Sequence, residues 1–148
     1  MRDPRVIANH VKDSDVLLLI QSKDVLQSPW CLIELDAAIT HGVPIVGLAV
    51  VGKNYDVDAA ADFLLHLEAN LADSNAYALE VLRMNGIDPL RLAHKLHSVV
   101  PAIVSIPFDT SASLNTIKAA MADLIMAVKD AKPLSITESF EAWRSNRC

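Results

Sequence analysis

Three continuous apolar runs, Val16-Leu-Leu-Leu-Ile20, Pro44 to Val51 and Val99 to Ile106, constrain this chain more than any other feature. None alternates polar with apolar residues, so each predicts a short strand buried on both faces rather than one lying half in water. A sheet of such strands needs a covering layer on each side. The intervening segments carry helical patterns that can supply it. Asp3-Pro4, Ser28-Pro29 and Asp88-Pro89 each set a side-chain acceptor at the N-cap and a proline at the first helical position, where its missing N–H is no loss.

Periodicity predicts helices over Pro4 to Lys12 and Pro29 to His41, the second ended by Gly42 in the left-handed conformation. From Asp56 to Leu71 the residues Ala60, Phe63, Leu64, Leu67 and Leu71 keep the helical period, and Asn75 to Asn85 forms another helix stopped by Gly86. A helix opened by Asp88-Pro89 follows. The last long helix, Leu114 to Lys129, carries Leu114, Ile117, Met121, Leu124, Ile125 and Val128 on one stripe, is capped by Ser113 and is stopped by Pro133. Beyond it, Ser135-x-x-Glu138 has the form of a capping box and precedes Phe140 and Trp143, a pattern for a short docking helix. Helices alternating with buried strands predict an α/β fold with a parallel sheet and right-handed crossovers.

Composition narrows the function classes. The chain has 148 residues, suited to one domain. A formal net charge of −5 and the absence of any Lys/Arg stripe argue against nucleic acid as a partner. Cys31 and Cys148 cannot staple a domain of this size and fit a reducing compartment. No apolar run precedes Val16, and the longest uncharged apolar stretch, Val43 to Gly52, is about half of the ~20 residues a membrane span requires. These features predict a cytoplasmic protein without a membrane partner.

The most informative stretch is Asp13-Ser-Asp-Val-Leu-Leu-Leu-Ile-Gln-Ser-Lys-Asp-Val-Leu-Gln-Ser-Pro-Trp-Cys-Leu-Ile-Glu-Leu35, followed by Pro44-Ile-Val-Gly-Leu48. It resembles the central part of the Toll/interleukin-receptor (TIR) domain, in which a serine leads into a buried strand, a serine loop follows, and S-x-W-C-x-x-E-L opens a helix before the next strand. Ser14, Ser22, Ser28, Trp30, Cys31, Glu34 and Leu35 fall on those positions. The resemblance implies a flavodoxin-like sheet of which three strands of the usual five are present, with a TIR-like domain over 1–130 and a tail over 131–148. The family opens with a D-x-F-x-S strand, a helix and a second strand. None of these occurs here, so the resemblance implies an N-terminally incomplete domain whose first strand, Val16 to Ile20, is an exposed apolar edge in need of cover by another chain or the tail.

Two functions follow from the resemblance. In enzymatic members the glutamate matching Glu34 assists hydrolysis of NAD to nicotinamide and ADP-ribose products, with Ser22, Ser28, Trp30 and Cys31 placed to shape the substrate site. NAD is then a substrate, and neither cofactor nor metal is implied. Nicotinamide leaves as a neutral pyridine, so one carboxylate stabilising the oxocarbenium-like ribose is enough in principle. The other function is a non-catalytic module for association with other TIR domains or with itself. A nucleoside deoxyribosyltransferase-like layout ranks below both.

The residues themselves leave the choice open. Helical spacing puts Cys31, Leu32, Leu35, Ala38 and Ile39 on a core stripe, with Trp30, Glu34, Ala37 and His41 along its border. Glu34 is thus either a solvated helix residue or a carboxylate tuned by the indole one turn before it. Cys31 reads most simply as a small buried hydrophobe, and His94 with His97 as a solvated face, since no third metal ligand joins them. Asp13, Asp15 and Asp24 read as loop and cap residues.

Overall fold

The computed structural model describes residues 4–133. Its elements in chain order are α1 (Pro4–Lys12), β1 (Leu17–Gln21), α2 (Pro29–Thr40), β2 (Ile45–Val50), α3 (Val57–Leu65), α4 (Leu67–Ser74), α5 (Ala76–Met84), α6 (Pro89–Val99), β3 (Val104–Phe108) and α7 (Leu114–Asp130). This is the expected α/β class, with three parallel strands in the order β1-β2-β3 flanked by helices. The predicted tail helix and the Asp3 cap lie outside the described residues.

Local chemistry accounts for most boundaries. The Ser28 side chain accepts from the Cys31 N–H at the start of α2, and Asp88 accepts from the Leu90 N–H at the start of α6. Asp56 and Ser113 do the same for α3 and α7. Gly42 and Gly86, with φ of +68° and +73°, stop α2 and α5 in a backbone region that side chains disfavour.

Several boundaries differ from expectation, β3 for example ending at Phe108 rather than Ile106, and three differences are instructive. The predicted helix over 56–71 is two helices that meet at His66, which has φ −122° and ψ 45° and belongs to neither. The strand predicted from Val99 to Ile106 begins only at Val104. Val99 closes α6 and Val100–Ala102 forms a 3-10 turn, while Val99, Val100 and Ile103 remain buried. An apolar run records burial, and a buried helix end satisfies it as well as a strand does. Lastly, β1 runs one residue further than expected, to take in the buried Gln21.

The two faces of the sheet are unequal. Leu17, Leu19 and Ile45 point into a cluster built with Leu32, Leu35, Leu64, Leu67, Leu71, Leu82, Leu92 and Leu96 from α2 to α6. Alternation along the paired strands puts Leu18, Ile20, Val46, Leu48, Val50, Val104, Ile106 and Phe108 together on the opposite face. There the only covering element among the described residues is α7, which packs on β3 and touches β2. Val46 is buried beneath it, whereas Leu18 and Ile20 of β1 are 39% and 47% exposed. The expectation of cover on both faces is therefore corrected: among the described residues the face toward α2 to α6 leaves Ser105 and Pro107 of β3 exposed, and the other face is open at Leu18 and Ile20 of β1 and at Val104 of β3, which is 63% exposed. The stripe of α7 is likewise only partly used, because Ile117, Leu124 and Val128 are half-buried while Leu114, Met121 and Ile125 are exposed.

Candidate functional site

The loop after β1 and the first turns of α2 carry the residues singled out in the sequence. Gln21 ends the strand fully buried, and Ser22 beside it is half-buried. The 3-10 turn Val25–Gln27 then buries Val25 and Leu26, pinning the loop to the core. Asn75 donates from Nδ2 to the Gln27 carbonyl at 2.9 Å, which ties the same loop to the start of α5. Ser28 follows with its hydroxyl committed to the α2 cap, 3.4 Å from the Cys31 nitrogen.

On α2 itself Trp30, Cys31 and Glu34 are all half-buried. Trp30 and Cys31 pack against the core cluster, so Cys31 is a partner of the core rather than a member of its buried stripe. The buried arc of this helix is wider than one stripe, since Ile33 and Ala37 join Leu32, Leu35, Ala38 and Ile39. His41 is exposed. The segment brings Ser28, Trp30, Cys31 and Glu34 together along two turns, with Ser22 at the far end of the loop.

A cleft of about 220 Å³ opens beyond the C-terminal ends of β1 and β2, where ligands enter parallel α/β sheets. Its walls are Lys23, Asp24, Leu26 and Gln27 from one loop, Asn54, Tyr55 and Asp56 from the other, and Ala59, Ala60 and Phe63 from α3. The Lys23 N–H donates to the Lys53 carbonyl at 2.8 Å and joins the two loops. Asn54 takes φ +57°, a left-handed turn that Asn tolerates better than most residues. Ser22, Ser28, Trp30, Cys31 and Glu34 are not among the residues of these walls.

Beneath the cleft lies a polar cluster centred on one buried side chain, Gln21. Gln21 is 2% exposed, and its Oε1 accepts no hydrogen bond among the described residues. Gly47 and Ser105 face it from β2 and β3. Burial pushes the Tyr55 hydroxyl above the usual tyrosine range, and its hydrogen bond with Gln21 partly opposes the rise. Tyr55 thus stays a neutral hydroxyl at ordinary pH. With Lys23, Asp24 and Asp56 at the mouth and Phe63 in the wall, the cleft offers hydrogen bonds around an aromatic surface rather than an acid–base pair.

Sequence reasoning missed Gln21, Asn54 and Tyr55. A signal existed for the first, since a polar residue closing an apolar strand must find a polar neighbour if the strand end is buried. His94 is exposed and His97 half-buried on α6, and no group of three metal-ligating side chains occurs among the described residues. No described helix is long and apolar enough to cross a membrane. No protein-family model matches the chain, and no curated protein sequence matches it.

Proposed function

We propose that this chain is a TIR-like signalling domain that acts by associating with other protein surfaces, including further copies of itself, through the open face of its sheet. The observation that carries this reading is the exposure of Leu18 and Ile20 on a strand whose outer edge is unpaired among the described residues. Apolar sheet faces and open edges of this kind draw partners. The serine-loop and Trp-Cys resemblance adds the signalling context.

A second reading, NAD hydrolysis assisted by Glu34, is favoured by one observation: the carboxylate is half-buried one turn after the half-buried Trp30. Two measurements on the full chain decide between the readings. Light scattering across a concentration series is expected to show assembly, and Ile20→Lys is expected to abolish it with the circular dichroism spectrum retained. A chain that stays monomeric at every concentration, with no bound partner, contradicts the association reading. Nicotinamide release by the wild-type chain that disappears in Glu34→Gln, a variant that keeps shape but removes charge, establishes the enzymatic reading instead.

A further inference from the structure

We propose that the cleft at the C-terminal ends of β1 and β2 binds a small zwitterion, an α-amino acid with an apolar side chain. Its apolar walls are held in place by the core: Leu26 and Ala60 are buried, and Phe63 is half-buried and packed against the main cluster. Such a surface favours a ligand with an apolar body. The cleft's volume of about 220 Å³ falls below the ~300–1,000 Å³ of pockets that take drug-sized molecules, so the body it accepts is a single ring or a branched chain.

Charges of both signs line the same cleft. Lys23 and Asp24 follow β1, and Asp56 caps α3. Asp24 accepts through Oδ1 from Gln27 Nε2 at 3.2 Å, and Asp56 accepts through Oδ1 from the Ala59 N–H at 3.0 Å. The Oδ2 atom of each has no partner among the described residues, and the Lys23 ammonium pairs with neither carboxylate. The backbone bond from the Lys23 N–H to the Lys53 carbonyl, 2.8 Å long, ties the two loops and so fixes these charges relative to one another before any ligand arrives.

A ligand with one charge uses part of this set and meets a like charge in the rest. Lys23 repels a simple amine, and the two aspartates repel a simple carboxylate or a phosphate. A zwitterion satisfies both signs: its ammonium donates to the free aspartate oxygens, its carboxylate accepts from Lys23, and its side chain lies on Leu26, Ala60 and Phe63. A metal ion suits the cleft less well, since no three metal-ligating side chains converge among the described residues. Glu34 is not among the walls, and binding here depends on neither association nor NAD hydrolysis.

Equilibrium dialysis of the full chain against L-phenylalanine, phenethylamine and hydrocinnamate tests the assignment, because the last two each lack one of the charges. L-phenylalanine is expected to bind about tenfold or more tightly than either, the worth of one charge-assisted hydrogen bond. Lys23→Met is expected to level L-phenylalanine with phenethylamine. Asp24→Asn combined with Asp56→Asn, which keeps an acceptor at the α3 cap, is expected to level it with hydrocinnamate. Should the double variant fold poorly by circular dichroism, Lys23→Met carries the test alone, since Lys23 is exposed. No retention of L-phenylalanine at millimolar concentration overturns the proposal. So does equal affinity for the three probes, or a preference for L-phenylalanine that survives Lys23→Met, which places the ligand elsewhere on the chain.

Discussion

Gln21 and Gly47 lie against each other across the β1–β2 pair, so closely that a Cβ on Gly47 would stand 2.7 Å from Gln21 Nε2 and 2.8 Å from Ser105 Oγ. The Gln21 amide occupies the space a side chain on β2 would otherwise take. Because Gln21 is buried, it cannot swing into solvent to relieve a clash. Gly47→Ala is therefore expected to lower stability by about 1–3 kcal/mol, as overpacking does. Chemical denaturation of Gly47→Ala, Gln21→Ala and the double variant provides the check. The double variant should be less destabilised than the sum of the singles, and strict additivity would contradict the contact.

Ser28 distinguishes a structural role from a substrate-binding one. Its hydroxyl caps α2, so Ser28→Ala should cost about 1 kcal/mol while Ser28→Asp restores most of it. Denaturation midpoints of the two variants measure this. Equal stability of Ser28→Ala and the wild type would show that the cap contributes nothing and free the hydroxyl for another role.

Lys95 on α6 reaches Asp36 on α2 at 2.7 Å and also donates to Thr40. The Lys95 and Asp36 side chains are 22% and 27% exposed, so solvent screens the pair less than it does a surface one. Lys95→Met should destabilise the chain by about 1 kcal/mol, and the difference should shrink in high salt. Melting curves at low and high ionic strength test both parts, and a loss that is the same in each would assign the effect to packing instead.

Tyr55 predicts a pH dependence. The folded state holds the phenolic proton more tightly than an unfolded chain, whose tyrosine titrates near pH 10. The stability from this group is fully present below that pH and is lost as pH rises through the higher folded value. Wild-type melting temperature should thus fall more steeply than that of Tyr55→Phe above about pH 10. Parallel curves for the two proteins would place Tyr55 in water.

The sequence by itself determined much of the local order. Ser28-Pro29 and Asp88-Pro89 mark helix starts, and Gly42 and Gly86 mark helix ends, because each acts through backbone groups within one turn of itself. The α/β class followed from apolar runs that helices separate. Position along α2 was legible only in part: Glu34 is half-buried, as a residue bordering the core should be, but Ala37 on the same border is buried and Cys31 on the expected core stripe is only half-buried.

Only the tertiary structure decided what those elements face. Val99 and Val100 look like strand residues and are helix and turn, since burial was the only property their side chains recorded. Gln21 reads as a polar end to a strand, yet its meeting with Gly47, Ser105 and Tyr55 depends on register between segments far apart in the chain. The stripe on α7 was plain, but its division into a half-buried side and an open flank arises from how far that helix extends across the sheet. Backbone hydrogen bonding is settled among near neighbours and can be read from the chain, whereas cavities, buried polar contacts and uncovered faces exist only once distant segments have packed.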